Sequence, residues 1–516
     1  MRPFVFWPPA FLLLAALGFS LIDFGGFHAF LSGVNAWLLS RFDWLFSIGS
    51  FAAVALLGWV FVSPLGAVRI GGPDAQPILS RWNWFAITLC TTIAVGILFW
   101  GAAEPIFHVN GPPDFTGLDA RSDGAARFAL SSMFMHWTIT PYAIYSVPAL
   151  AFALAHYNLG RSYSLSGPLS ILFGRAMTGR GGALVDALGL IALVAGVAGA
   201  LGAGVMTLAD GLGGLTGIAD GPVLRLAVTA AIVVVFVASS VSGVQKGIRV
   251  LSDINTRFFF LLAAFVFVFG PTGDIVVLGL KGLGDYAATF IPQSLAFGAR
   301  AGHEWTREWT VFNFAQWLAW APITALFLGR ISVGYTVREF LFFNLAGPAM
   351  FGALWMIIFG GAAINIDVET AGSLTAALNE RGPEAVVYAM FAALPLPEAV
   401  GLSFIILTFI SFVTAMDSNT HSISGVCLKD AVGGEKQRPA EIQVKLFWGA
   451  LIGAVAWIMT ATTGVGGVRM LSNLGGAPGL VILIAMGAVI VAMRAAWFDE
   501  VKSASQPARQ DPPQAS

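Results

Sequence analysis

The sequence predicts an all-helical membrane protein with twelve transmembrane helices. Hydrophobic residues make up 57% of its 516 residues and charged residues only 11%, whereas soluble proteins carry about 25% charged residues. The mean hydropathy is +0.80. Apolar stretches of about 20 residues, the length that crosses a bilayer, recur along the whole chain. The 60 glycines suit membrane helices that pack closely against one another.

The apolar stretches divide the chain into twelve predicted spans with short connections. The first span follows Arg2 and has no clear cleavage site, so we interpret it as a helix and not as a signal peptide. The connections are too short for a soluble catalytic domain. The spans are predicted at 5–25, 43–66, 83–103, 128–154, 185–210, 222–243, 257–279, 306–329, 338–364, 399–424, 442–463 and 472–495.

Two segments outside the spans have a distinct composition. Residues 281–304 are amphipathic, which predicts a helix in the membrane interface. Residues 497–516 are polar and contain proline, which predicts a disordered tail. With the N-terminus inside the cell, about two-thirds of the 27 Lys and Arg residues fall in cytoplasmic segments. We therefore expect a multi-pass protein of the cell (inner) membrane with both termini in the cytoplasm.

Charge, cysteines and motifs exclude several classes of function. A net charge of −1 argues against nucleic acid as a partner. Cys90 and Cys427 lie in or beside apolar segments, so a disulfide framework is not expected. The sequence contains no HExxH, GxSxG or Walker motif and no Cys/His metal spacing. We therefore expect that the protein is not an enzyme and binds no cofactor. The expected binding partners are membrane lipid and a small-molecule substrate.

The eighth span contains an unusual number of aromatic residues. Its run from Trp309 to Gly329 contains no formal charge and begins WTVFNFAQWLAWAP. At about 100° per residue, Trp309, Gln316 and Trp320 share one face of the helix, and Phe312 and Trp317 flank it. Indole faces attract cations that have no hydrogen to donate. This helix is therefore a candidate surface for such a cation.

The fourth span, MHWTITPYAIYSVPALAFA, carries a second aromatic cluster of Trp137, Tyr142 and Tyr145. Each of these aromatics taken alone is explained better by core or lipid packing than by binding. Two clusters at membrane depth, away from the interfacial aromatic belts, favour a shared binding site. His136, in the same span, is either a proton carrier or the donor of one structural hydrogen bond.

Three stretches together resemble the betaine/carnitine/choline transporter (BCCT) family. They are WTVFNFAQWLAWAP with GRISVGYTVREF, HWTITPYAIY, and SSVSGVQKGIRVLSDIN; FWGAAEP and TAMDS agree with them. The resemblance implies a LeuT-type core of two inverted five-helix repeats and a homotrimer. The predicted division is two N-terminal helices in 1–70, the first repeat in 82–280, the interfacial helix in 281–304, the second repeat in 305–496 and the tail in 497–516.

The resemblance also assigns roles to individual residues. It implies an aromatic box of Trp137, Tyr142, Tyr145 and Trp317, with Tyr142 where the family usually has Trp. Gln316 stands where an aromatic residue is usual, and its amide is a candidate partner for a substrate carboxylate. The remaining assignments are Trp320 on the inward path and Trp309 and Phe312 near the outer entrance.

The residues implied in ion coupling depart from the pattern of the sodium-coupled members. The third-span stretch from Thr92 and Ile93 to Gly96 keeps one of three glycines. The tenth span keeps Thr414 but has Ala415 in place of a serine ligand. Residues 187–206 contain neither Ser nor Thr. Sodium prefers oxygen ligands, so we expect sodium coupling to be altered or absent, with protons as the substitute ion.

The predicted function is secondary active import, by alternating access, of a zwitterion with a quaternary ammonium or sulfonium head. Glycine betaine, choline, carnitine and dimethylsulfoniopropionate remain open as substrates. The alternative is a sodium-coupled or passive transporter of another amine or of an amino acid. A channel is disfavoured because paired aromatic clusters indicate an enclosed site, and a membrane enzyme because catalytic motifs are missing.

Overall fold

A computed structural model describes residues 1–92, 96–241, 245–296, 303–428 and 439–505 of the chain. These residues are nearly all helical, and they form no β-strand beyond one isolated bridge between Arg69 and Thr336. In the first half the helices are α1 (Pro3–Ile22), α2 (Phe24–Val62), α3 (Arg81–Thr92), α4 (Gly96–Asn110), α5 (Asp123–Trp137), α6 (Ile139–Ala153), α7 (Ser166–Phe173), α8 (Arg180–Thr216), α9 (Pro222–Val241), α10 (Gln245–Phe269) and α11 (Thr272–Ser294).

The second half continues the same pattern, and π-helical turns join several of its helices into longer spans. One of these turns, Arg307–Val311, leads directly into α13. The helices are α12 (His303–Thr306), α13 (Phe312–Arg330), α14 (Val337–Leu341), α15 (Gly347–Trp355), α16 (Gly361–Glu369), α17 (Ser373–Arg381), α18 (Pro383–Ala392), α19 (Pro397–Cys427), α20 (Pro439–Thr462) and α21 (Val465–Ser505).

Twelve helical segments of the described residues are long and apolar enough to cross a membrane. This confirms the all-helical membrane fold, but the twelve segments differ from the twelve predicted spans. Helix α11 is one of the twelve. The predicted third span corresponds to α3 and α4, which are not among the twelve and form a pair of helices inclined by 58° to each other. Their junction, residues 93–95, lies outside the described residues. The division of the helices into two inverted repeats stays a prediction.

Three predicted boundaries are wrong, each for a local reason. The seventh span does not run to residue 279, because Gly270 and Pro271 end α10 and separate it from α11. The second span begins at Phe24, where the side chain of Asp23 caps the helix by accepting a hydrogen bond from the Gly26 N–H. Helix α21 continues to Ser505, so the first nine residues of the predicted tail 497–516 are helical, and residues 506–516 lie outside the described part.

The predicted interfacial helix is also displaced along the chain. Residues 281–294 belong to α11, which starts at Thr272 and packs against α5 and α16. Among the twelve segments α11 has the lowest mean hydropathy, 1.3, and it carries Asp274, Lys281 and Asp285. This composition is compatible with the interface as well as with a span, so the interfacial placement stays a prediction. Residues 297–302 lie outside the described residues.

Helix α13 occupies the centre of the bundle. It packs against α6, α8 and α21, and its most apolar part is completely buried. Glycines allow this close approach: a Cβ atom at Gly196 of α8 would lie 2.8 Å from Trp320 Cδ1. At Gly476 of α21 it would lie 2.7 Å from the Cα atom of Ala315. Small residues thus let the backbones of α8 and α21 approach the helix that carries the predicted tryptophans.

Candidate functional site

A break between α5 and α6 brings the fourth-span aromatics around Trp317. Thr138 separates the two helices with φ −120° and ψ −113°, outside the helical region. The indole of Trp317 on α13 then lies 5.5 Å from Trp137, 5.9 Å from Tyr142 and 5.5 Å from Tyr145, measured between ring centroids. All four rings are buried. The structure therefore brings together the four residues of the predicted aromatic box.

A small closed cavity lies against this cluster. Its volume of about 20 Å³ holds about one water molecule, so the site is closed to a larger solute. No charged residue is among the described residues that line it. The lining residues are Thr91, Thr92, Gly96, Trp137, Tyr145, Ala200, Gln316, Trp317, Trp320 and Ala415.

The predicted binding residues divide around the cavity. Trp137, Tyr145 and Trp317 line it, whereas Tyr142 contacts Trp317 from outside the lining. Gln316 also lines it, and its amide oxygen is buried with no hydrogen-bond partner in the part of the chain that the structure describes. Trp320 lines the cavity on the next turn of α13. The site therefore combines aromatic faces with one unsatisfied amide.

Gly96 fixes the position of the Trp137 indole. A Cβ atom at this glycine would overlap the ring atoms Cζ3 and Cη2 of Trp137. The glycine that the third span retains therefore has a packing function in this structure, next to the cavity that it lines. Any larger side chain at position 96 would push the indole away from its place in the box.

The ion-coupling residues do not form a separate oxygen-lined site among the described residues. Thr92 and Ala415 line the cavity of the aromatic box, while Ile93 lies outside the described residues. The Thr92 hydroxyl donates to the carbonyl of Thr88 at 2.8 Å. Thr414 is buried, and its hydroxyl contacts the carbonyls of Ile410 and Ser411 at 3.0 Å each. Roles for these residues in ion coupling stay predictions.

Trp309 and Phe312 surround a cation that belongs to the protein itself. The guanidinium carbon of Arg469 on α21 lies 4.3 Å from the ring centroid of Trp309 and 5.4 Å from that of Phe312. A third ring, Trp100, lies at 5.6 Å. Such contacts stabilise a cation by roughly 0.5–2 kcal/mol each. Arg469 of α21 therefore places a positive charge beside the eighth span, whose run from Trp309 to Gly329 has none of its own.

A buried cluster of ionisable side chains lies behind Trp137. Glu104 Oε1 lies 2.5 Å from His136 Nδ1 and 3.3 Å from His108 Nε2. Glu104 Oε2 accepts a hydrogen bond from Trp137 Nε1 at 2.7 Å. Sequence reasoning considered His136 alone and missed the cluster. The available signal was Glu104 and His108 one turn apart in an apolar helix.

A bundle of membrane-length helices around a closed, aromatic-lined cavity is the architecture of a membrane transport protein. The family model described as "BCCT, betaine/carnitine/choline family transporter" matches residues 4–498. The chain therefore belongs to the betaine/carnitine/choline transporter family, whose members are transporters and not enzymes. The predicted family, the predicted transport class and the multi-pass membrane location are confirmed.

Individual relatives match nearly the whole chain. "Glycine betaine transporter 1" of Vibrio parahaemolyticus is 33% identical, with 87% of this chain and 83% of the relative covered. "Ectoine/hydroxyectoine transporter" of Virgibacillus pantothenticus is 28% identical, with 94% and 96% covered. "Glycine betaine transporter OpuD" of Bacillus subtilis is 28% identical, with 97% and 96% covered. At this level of identity the site residues have to be assigned one by one.

Proposed function

We propose that the protein is a secondary active transporter that imports a zwitterion with a quaternary ammonium or sulfonium head, such as glycine betaine. The observation that carries this proposal is the ring of Trp137, Tyr142 and Tyr145 around Trp317, within 6 Å between centroids. A methylated cation offers no hydrogen to a carboxylate, so aromatic faces are the suitable partner. The uncharged lining avoids burying an unpaired acid when the site is empty.

The zwitterionic substrates are favoured over choline for an electrostatic reason. Choline would bring a full positive charge into a cavity whose described lining carries no anion. A zwitterion brings its own carboxylate and enters as a neutral molecule, so its desolvation costs less. The relatives named as glycine betaine transporters agree with this choice.

The test is uptake into proteoliposomes. Wild-type protein should accumulate labelled glycine betaine with saturable kinetics, and competition by choline, carnitine, dimethylsulfoniopropionate and ectoine should rank the substrates. Trp317→Ala removes the central ring and should abolish saturable uptake. Trp37→Ala serves as the matched control because Trp37 is 57% exposed. Saturable uptake by Trp317→Ala at the wild-type rate would reject the aromatic box.

A second candidate substrate class is a cyclic amidine such as ectoine. The observation that favours it is the unpartnered amide oxygen of Gln316 in the cavity lining. An amidinium carries N–H groups that can donate a hydrogen bond to this oxygen, whereas a trimethylammonium head carries no such donor. A relative named as an ectoine/hydroxyectoine transporter supports the class. Stronger competition by ectoine than by glycine betaine would favour this candidate.

We also propose that protons replace sodium as the coupling ion. The reason is the shortage of oxygen ligands: Ala415 has no hydroxyl, and residues 187–206 contain no Ser or Thr. The hydroxyls of Thr92 and Thr414 contact carbonyls of their own helices. Uptake that strictly requires a sodium gradient would refute this proposal. Homotrimeric assembly, the inner membrane and cytoplasmic termini remain expectations from the resemblance and the charge bias.

A further inference from the structure

We propose that Glu104, His108 and His136 form the proton-binding site that couples transport to a proton gradient. This inference rests on the proposed transport function and names the residues that carry the proton. All three side chains are completely buried, on α4 and α5. Burying a carboxylate beside two imidazoles is costly unless every group is paired. A cluster of this composition at membrane depth therefore points to a function rather than to packing.

The residues of the cluster are hydrogen-bonded to both tryptophans of the box, one through a side chain and one through the main chain. Glu104 Oε2 accepts a hydrogen bond from Trp137 Nε1, at 2.7 Å. The main-chain carbonyl of His136 accepts one from Trp317 Nε1, at 3.0 Å. The protonation state of Glu104 therefore acts on the Trp137 indole through a single hydrogen bond, and the Trp317 indole is held by the main chain of His136. Proton binding and substrate binding are therefore connected without a long chain of intervening residues.

A second cavity gives the proton a way to reach the cluster. It has a volume of about 290 Å³, and both His136 and Thr310 line it. The hydroxyl of Thr310 lies 3.0 Å from His136 Nε2. Trp137, on the other side of Glu104, lines the closed cavity of the box. The cluster thus lies between the larger cavity and the binding site.

The proton transfer balances without any further reactant. In the starting state His136 carries its proton on Nδ1 and donates it to Glu104 Oε1, and Nε2 accepts from Thr310. A proton from the larger cavity binds Nε2, and the Nδ1 proton moves to Glu104 Oε1. His136 ends neutral in its other tautomer, and Glu104 ends as a neutral acid. The hydrogen bond from Trp137 then loses its charged acceptor and weakens.

Other ionisable groups act on this cluster and define its electrostatics. Arg469 on α21 is close enough to act on Glu104 and His108, and Glu308 acts in turn on Arg469. The Glu104 carboxylate therefore offsets the charge of Arg469 in the starting state, and protonation removes this compensation. Nδ1 of His108 has no hydrogen-bond partner among the described side chains and main-chain atoms.

The same three side chains have the donor set of a metal site, with ligand atoms within 4.8 Å of one another. A proton fits the geometry better than a metal ion. Glu104 Oε2 is already occupied by the Trp137 N–H, and His136 Nε2 points to Thr310. A divalent ion would also add positive charge near Arg469. The proton is therefore the occupant that we propose.

The experiment measures proton movement and substrate movement in the same proteoliposomes. In sodium-free buffer, adding the transported substrate outside vesicles that contain a pH-sensitive dye should acidify the lumen. Glu104→Gln cannot take up the proton, yet its amide oxygen still accepts from Trp137. This variant should lose the acidification but still exchange labelled substrate across the membrane. Glu380→Gln, an exposed acid on α17, is the matched control and should behave as the wild type.

A binding measurement covers the case in which Glu104→Gln does not fold. Wild-type affinity, measured by tryptophan fluorescence, should change with pH by about tenfold, within the range usual for coupled sites. His136→Gln should flatten this dependence, and His156→Gln in the turn that follows α6 should preserve it. Wild-type protein that moves no methylated zwitterion refutes the proposed function. Substrate movement without acidification refutes proton coupling and with it the coupling site, but not the transport function. Acidification by Glu104→Gln, or dependence on an added divalent metal, refutes only the coupling site.

Discussion

Gln316 places a buried amide next to Trp317, at a position where the family resemblance implies an aromatic ring. Its oxygen has no partner among the described residues, and an unsatisfied buried acceptor costs about 1–3 kcal/mol. A substrate that bonds to this amide would recover part of that free energy. Gln316 is therefore the residue of the described site most suited to discriminate between substrates.

Gln316→Leu tests this role while keeping the side-chain volume similar. If the amide oxygen accepts an N–H group, competition by ectoine should weaken by about tenfold, the value of one hydrogen bond to a charged donor. Competition by glycine betaine and by choline should then change little. If the amide instead donates to a carboxylate, betaine and ectoine should weaken together and choline should not. Unchanged inhibition constants for all three would show that Gln316 has no part in recognition.

Single residues differ in how well the sequence predicted them. Trp137, Tyr142, Tyr145 and Trp317 were predicted from helical spacing and resemblance, and the fold brings their rings together. The role of Gly96 in seating Trp137 was not predictable, because the contact joins α4 to α5 across a loop. Contacts between helices depend on how the helices are docked, and sequence periodicity contains no information about this.

At the scale of whole helices, the contact between α13 and α21 holds the site together. Three glycines of α21 face α13, and at Gly476 an added Cβ atom would lie 2.5 Å from the Ala315 carbonyl oxygen. Close backbone approach replaces the hydrophobic effect as the source of helix association in a bilayer. We call this contact between the α21 glycines and the α13 backbone the seam. The positions of Trp317 and Gln316 depend on the seam, although neither side chain is part of it.

Gly476→Ala should separate these helices and lower stability by about 1–3 kcal/mol, the usual cost of overpacking. The measurement is thermal unfolding in detergent, together with uptake in proteoliposomes, and both should decrease. Gly58→Ala on α2 is the matched control, because nothing lies within 4 Å of its added Cβ atom. That control should be neutral or slightly stabilising, since alanine favours a helix over glycine. Equal melting temperatures for Gly476→Ala and the wild type would contradict this role of the seam.

Helix boundaries show what local sequence determines and what it does not. The end of α10 at Gly270 and Pro271 follows from residues that break a helix, and the wrong seventh span came from hydropathy alone. The break at Thr138 has a local signal too, because Pro141 in the first turn of α6 has no N–H to bond to the carbonyl of Trp137. The local sequence therefore marks the break, whereas the docking of α6 against α13 comes from tertiary contacts.

Across the whole molecule, the aromatic box and two larger cavities are lined by successive parts of the segment from α5 to the π-helical turn Leu154–Asn158 that follows α6. The cavity of about 290 Å³ lies beside His136, the closed box follows at Trp137 and Tyr145, and a third cavity of about 610 Å³ lies beside Tyr157. The box lies between the two larger cavities in chain order. Alternating access requires a central site that opens to one side at a time, so we expect the two cavities to respond to substrate in opposite ways.

Cysteine labelling tests this arrangement in the intact protein. In a background without the two buried native cysteines, Ala296→Cys reports on the 290 Å³ cavity and Ala67→Cys on the 610 Å³ cavity. Adding substrate should change the labelling rates at the two positions in opposite directions, because opening one side closes the other. Parallel changes at both positions, or none, would contradict alternating access. Asn379→Cys, at an exposed position on α17, serves as the labelling control, and its rate should not respond to substrate.

The sequence by itself determined the membrane class, because hydropathy is a local property of the chain. It also indicated the family and the aromatic residues of the site, through motifs that resemble those of known transporters. Only the tertiary structure decided that Glu104, His108 and His136 meet behind Trp137, and that Arg469 supplies charge to Trp309. The physical reason is that a buried charge is tolerated only where partners from other helices converge on it. Such convergence is a property of helix packing, which brings together residues separated by up to several hundred positions.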